Sequence, residues 1–272
     1  MVQPVISVAG VSVGAEGARG VSRALPEEWP VALVYDGSTQ AVMMCSPQDL
    51  SDFALGFSLT EGFVGSAADI VDFELVEHET GSEARFWLVP ERAGAVAKRR
   101  RAMAGPVGCG LCGIDSLQEA VRELPSVAPG GPVFSHADVL AAVGDLRGHQ
   151  PLHDLTHAVH AAGFARPGAG LVMVREDVGR HNALDKLIGA LSRAGIDPAS
   201  GAFVMTSRLS VELVQKAAMV GCPVIIAVSA PTAHAVRLAE GAGITLVAFA
   251  RGAGFDVYAH GARILHGASD VA

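Results

Sequence analysis

The sequence predicts an α/β protein: a C-terminal α/β sheet preceded by a smaller α+β subdomain. Three observations carry this. From about residue 157, short apolar runs alternate with helical stretches that end in glycine. Strands apolar on both faces and separated by helices are the pattern of a parallel sheet covered on both sides. Upstream, hairpin-type strands are mixed with helical stretches, which suits an α+β unit. Between the halves lies "PSVAPGGP" (125–132), a Pro/Gly linker that places the subdomains at 25–124 and 133–268.

Taken in order, residues 1–24 show no clear period and read as a loosely ordered start. "PVALVYDG" (30–37) and "AVMM" (41–44) read as strands joined by a turn. "SPQDLSDFALGFSLTEG" (46–62) reads as a helix with Ser46 as N-cap, Pro47 in the first helical position and Gly62 at the end. "IVDFELVE" and "ARFWLV" flank "HETGSE" as a hairpin. "ERAGAVAKRRRAM" (91–103) predicts a helix ending in a basic cluster, and "SLQEAVREL" (116–124) another with capping-box spacing at Ser116 and Glu119. Beyond the linker, "SHADVLAAV" (135–143) is helical. Strands are expected at 170–174, 202–206, 223–229, 244–250 and 255–259, with helices at 182–195, 210–221 and 233–243.

The composition narrows the function classes. A net charge of −8 argues against general nucleic-acid binding, though not against one local basic pocket. The first ten residues lack a positive n-region, and no apolar run reaches the roughly 18–20 residues of a membrane helix. A soluble cytoplasmic protein is expected. Four cysteines in 272 residues are no disulfide framework, so a cysteine pair is free to be chemical.

That pair is Cys109 and Cys112 in "GPVGCGLCGIDSL" (105–117). A CxxC can bind metal, cycle as a dithiol or carry sulfur. Thiolate is the reactive form, and nearby positive charge or a helix N-terminus raises its fraction. The upstream KRRR cluster and downstream helix supply both. A closed zinc site needs four N or S ligands, and there is no second CxxC. The zinc deaminase signature is absent, because His78 is not in an H-x-E and Pro106 does not adjoin Cys109. A thioredoxin-like role would place the CxxC in an early βαβ unit, which this is not.

Ligands on parallel sheets sit at the carboxyl ends of the strands. Those ends read "REDVGRHN", "TSRLS", "VSAPT" and "FARGAG". Arg180 and His181 open a helix whose N-terminus suits an anion, and Asp177 is the type of group that accepts from a guanine edge; the equal alternative is a charged turn with a capped helix. With Arg208 and Arg251 at other strand ends, three arginines would form a phosphate pocket. His153, His157 and His160 are spaced for one helical face, as in a metal site; the alternative is solvent-facing or hydrogen-bonded histidines near a pocket.

The segments "VALVYDG", "VMMCSPQDLSDFALGFSLTEG", "GCGLCGIDSL", "EDVGRHNALDKLIG", "SRLSVELVQKAA" and "ITLVAFARG" together resemble the formate dehydrogenase accessory sulfurtransferase family over about 30–260. The resemblance implies a homodimer with a cytidine-deaminase-like α/β sheet lacking the zinc site. It implies a sulfur carrier that takes persulfide sulfur from a cysteine desulfurase to bis-molybdopterin guanine dinucleotide, the molybdenum cofactor, serving the formate dehydrogenase catalytic subunit. Carried over, Cys109 bears the persulfide and Cys112 is its partner. Phe249, Ala250, Arg251, Gly252, Ala253 and Gly254 match the nucleotide-cofactor segment. Two stretches depart from the family pattern. "THAVH" (156–160) keeps His160 but has His157 and Ala158 for glycines, and Thr206-Ser207-Arg208 replaces Ser-Gly-Arg. Competing functions are a non-catalytic cofactor chaperone, a dithiol oxidoreductase and, last, a zinc protein.

Overall fold

The computed structural model describes residues 2–92, 94, 96 and 124–265. The expected basic helix near 98–101, Cys109, Cys112 and the helix after them lie outside the described residues.

Residues 5–26 form regular structure, against expectation. Strands β1 (Val5–Gly14) and β2 (Gly17–Pro26) form an antiparallel ribbon closed by the two-residue turn Ala15–Glu16. Its alternation is diluted by Gly, Ser and Ala, which hid it in the sequence; Val11 and Val13 remain 68% and 79% exposed.

Next come β3 (Trp29–Tyr35), β4 (Ser38–Cys45), β5 (Ile70–His78) and β6 (Gly81–Leu88), in the order β4-β3-β6-β5 with β3 and β6 parallel. Helix α1 (Leu50–Thr60) covers one face through Phe53 and Phe57. Tyr35 stacks between Phe63 and Phe86 at centroid distances of 4.4 and 5.2 Å, and its hydroxyl bonds Ser58. The expected helix start needs correction. Asp49, at φ 53°, is the N-cap, while Ser46 is fully buried and points its backbone N–H at Asp177.

After the linker come β7 (Phe134–Ser135), α2 (His136–Gly148) and α3 (Pro151–Thr156). Ser135 and Asp138 form the capping box that starts α2. Then follow β8 (His160–Arg166), β9 (Gly170–Asp177), α4 (Arg180–Arg193), β10 (Ala202–Met205), α5 (Val211–Met219), β11 (Val224–Ala227), α6 (Ala233–Ala242), β12 (Thr245–Arg251), β13 (Gly254–Ala259) and β14 (Ile264–Leu265). The main sheet has six strands in the order β13-β12-β11-β10-β8-β9.

This sheet is mixed rather than parallel. Only β10, β11 and β12 run parallel; β8, β9 and β13 join antiparallel. The short turns between β8 and β9 and between β12 and β13 dictate this, since a parallel crossover needs a dozen residues or more. Strand β8 was missed because its Ala-Ala-Gly-Phe-Ala run is poor in β-branched residues. Those small residues fit a strand buried on both faces: Ala162 and Phe164 face α4, while Ala161 and Ala165 face α2. Of the two readings of His153, His157 and His160, the shared helical face fails and the histidines near a pocket hold. His153 is on α3, His157 caps it at φ 54°, and His160 begins β8.

Helices α1 and α4 join the two sheets. A Cβ on Gly56 would lie 1.8 Å from the Asp185 carbonyl oxygen, and one on Gly189 would lie 1.9 Å from that of Asp52. Only glycine permits this backbone approach.

Candidate functional site

Antiparallel register brings the start of β8 beside the ends of β9 and β10: His160 pairs with Asp177, and the Thr206 N–H donates to the Ala161 carbonyl. The carboxyl edge of the sheet therefore gathers Asp177–His181, His160, Thr206–Arg208 and Phe249–Gly254 along one rim. The two faces of the sheet then divide these residues.

On the α2–α3 side lies a cleft of about 740 Å³. That falls within the roughly 300–1,000 Å³ of small-molecule sites. His160, Ala250, Arg251 and Gly252 line it, and Thr206 and Val228 line the strand ends beside them. The opposite wall, which the sequence did not single out as a binding wall, brings Arg147 and Gln150 together with His153 and His157. Its signal was the histidine spacing, which marks a shared cleft rather than a shared helix. Among the described residues lining the cleft there is no carboxylate, although Asp154 pairs with Arg147 at its rim. Val143, Leu146, Ala158 and Val159 supply apolar surface.

Local geometry fixes the walls. Phe249 adopts φ 53° at an irregularity where β12 and β13 shift register between Ala248 and Arg251. The loop is held at Ala253, whose carbonyl accepts from His136 Nε2 at 3.1 Å. On the other wall, His153 Nδ1 donates to the Val159 carbonyl at 3.3 Å, and its ring stands edge-on to His157 at 5.4 Å. The N-terminus of α3 is closed by Glu176, whose carboxylate accepts from the N–H groups of Leu152 and His153 at 2.8 and 2.9 Å. Burial, then the charge of Arg180, holds the His160 imidazole below the usual histidine range.

The α4 side is different. Asp177 is fully buried, pairs with Lys186 at 2.7 Å and accepts from Ser46 N–H, Gly179 N–H and the Asn182 amide. Its expected reading of a guanine edge is therefore corrected: both oxygens already serve the junction with α1. Nearby, Lys216 reaches Asp185 at 2.9 Å, Thr60 at 3.0 Å and Glu61 at 3.3 Å. Burial raises Asp185 to about 6 despite that lysine. His181 is pushed down to about 4 by burial, then by Lys216 and Arg180. Its Nε2 lies 3.8 Å from Glu212 and makes no hydrogen bond. Ser207 is buried and Arg208 exposed, and neither lines the cleft. Among the described residues, Arg180 and Arg208 therefore do not join Arg251 in this cleft. Among the described residues, no three His, Cys, Asp or Glu side chains gather to hold a metal ion.

The FdhD/NarQ family model matches residues 26–265. This chain belongs to the FdhD/NarQ family. Relatives named sulfur carrier protein FdhD include one from Agrobacterium fabrum, 54% identical and covering 89% of this chain and 90% of the relative. Another, from Bordetella petrii, is 47% identical over 95% and 92% of the two chains. A solved structure of a Desulfotalea psychrophila protein, described as a formate dehydrogenase accessory protein, aligns with TM-score 0.75 at 24% identity, over 97% of this chain and 100% of that one. That likeness shows the mixed α/β fold. The FdhD/NarQ match begins where the β1–β2 ribbon ends, so the ribbon lies almost wholly outside it. No described helix of this FdhD/NarQ member is long and apolar enough to cross a membrane.

Proposed function

We propose that this chain is a cytoplasmic sulfur carrier for formate dehydrogenase. The observation that carries the reading is the 54% identity to a named sulfur carrier protein along nearly the whole chain. The carboxylate-free cleft supports it, because a basic, partly apolar pocket on a protein of net charge −8 suits a nucleotide-linked anionic cofactor. In this reading the cleft takes the guanine nucleotide end of bis-molybdopterin guanine dinucleotide as bound substrate. Ala250, Arg251 and Gly252 stand on one side of it and His160 at the edge.

The sulfur chemistry falls to Cys109 and Cys112. The Cys109 thiolate attacks the outer sulfur of a cysteine desulfurase persulfide, forming Cys109–S–S⁻ and releasing the desulfurase thiolate. Cys112 either positions that persulfide or attacks the Cys109 sulfur. Attack releases sulfide towards the cofactor and leaves a Cys109–Cys112 disulfide, which an external dithiol must reduce. The proposal includes the division at 25–124 and 133–268, a cytidine-deaminase-like C-terminal sheet and a homodimer.

Intact-mass spectrometry after incubation with a desulfurase and cysteine tests the reading. One added sulfur, removed by reductant, mapped to Cys109 and abolished by Cys109→Ala, is expected. Failure to gain sulfur with both thiols reduced, together with a double Cys→Ala variant that still supports active formate dehydrogenase, would leave a cofactor-binding chaperone instead.

A further inference from the structure

The cleft has two basic walls, and only the β12 side coincides with the cofactor segment expected from sequence. The other is built by α2 and α3. Arg147 sits in the last turn of α2, and among the described residues its guanidinium is engaged by Asp154, at 2.6 Å, in a pair whose side chains are 58% and 54% exposed. Such an exposed pair is worth little and exchanges readily for a better anion. His153 is fixed more firmly. With Nδ1–H committed to the Val159 carbonyl, Nε2 is the ring nitrogen left for a ligand. The α3 N-terminus offers no anion site, because Glu176 already occupies its first N–H groups. Anion recognition on this wall therefore rests on side chains.

Both walls face the same 740 Å³, and among the described residues Asp154, on Arg147, is the carboxylate that a ligand would have to displace. One phosphate placed against Arg251 would leave the Arg147 and His153 wall without an anion. A ligand carrying two linked phosphates can engage both. We infer that Arg147 and His153 form a second phosphate-binding wall opposite Arg251, so that the cleft grips a diphosphate-bridged ligand at both phosphates. This rests on the reading that the cleft takes the nucleotide end of the cofactor. It adds the residues that distinguish a diphosphate from a monophosphate.

Calorimetric titration of the full chain with guanosine diphosphate, guanosine monophosphate and inorganic pyrophosphate tests it. The wild type is expected to favour the diphosphate nucleotide over the monophosphate by about tenfold or more, the scale of one charge-assisted contact. R147Q and H153Q should reduce that preference to about twofold or less while keeping monophosphate affinity. R251Q should weaken both nucleotides. D154N, which removes the competing carboxylate from Arg147, should tighten diphosphate binding. Circular dichroism confirms that each variant is folded. If the preference survives in both R147Q and H153Q while R251Q loses binding, the second wall is wrong and the nucleotide cleft stands. If the wild type binds none of the three probes, the cleft reading and the second wall fall together.

Discussion

The two faces of the six-stranded sheet treat charge in opposite ways. On the α4 face, Asp177, Lys186, Asp185 and Lys216 are buried, and each acid meets a lysine within 2.9 Å. Their remaining hydrogen-bonding positions are taken by Ser46, Gly179, Asn182 and Thr60. On the α2–α3 face, Arg147, Arg251 and three histidines line a cleft with no carboxylate among its described lining residues. A charged motif is therefore a poor guide to a ligand site by itself. Saturated charges hold elements together, and charges without a full set of partners are the ones left open to a ligand.

The largest expected effect breaks the saturated face. Lys186→Met leaves Asp177 buried without its counter-charge, which costs about 3–5 kcal/mol. Urea denaturation should show the midpoint fall accordingly, with the fold lost outright if the wild type has little margin. Gly56→Ala comes next. Its methyl group must move aside from the Asp185 carbonyl, and overpacking of this kind costs about 1–3 kcal/mol; thermal unfolding reads the loss.

The same face should show two opposed pH dependences. His181 has its folded pKa lowered to about 4, so its contribution is present above the unfolded value of about 6.5 and is lost as pH falls. Asp185 has its folded pKa raised to about 6, so its contribution is complete below about 3.9 and is lost as pH rises through 6. Between about pH 4 and 6 the two partly cancel. Urea midpoints measured across that window should give a steeper loss towards acid in Asp185→Asn and a shallower one in His181→Gln. The smallest stability effect belongs to the cleft. Arg147→Gln should change unfolding free energy by less than about 1 kcal/mol, because its ion pair with Asp154 is exposed. A large destabilisation there would erase the contrast between the faces.

Much of the fold is legible in the sequence, and the parts that are not have identifiable causes. Ser135 with Asp138, Gly195 and Gly243 punctuate their helices as residue type predicts, the glycines at φ 66° and 75°. Strand direction is not carried by hydrophobic pattern, so the antiparallel entry of β8 and β9 escaped it. Strand β8 escaped because small residues chosen for close helix packing resemble no particular element. Within the site, Arg251 and His160 were readable from position in the motif. Asp177 was misread because its type suits a ligand as well as a lysine, and only burial distinguishes the two. Arg147 carried no motif at all.

The Gly56–Gly189 crossing also constrains how the chain is made. Asp177, Lys186 and Ser46 are joined across 131 to 140 residues of sequence. Contacts of such separation slow folding, since the intervening loop must close before they form. During synthesis, the sheet around Tyr35 emerges with α1 exposed on its outer side and waits for α4 before that side is covered. The N-terminal half is thus an aggregation-prone nascent species until roughly two-thirds of the protein has left the ribosome. Expressed alone it should partition into the insoluble fraction, and co-expression with residues 124–265 should bring it back into solution.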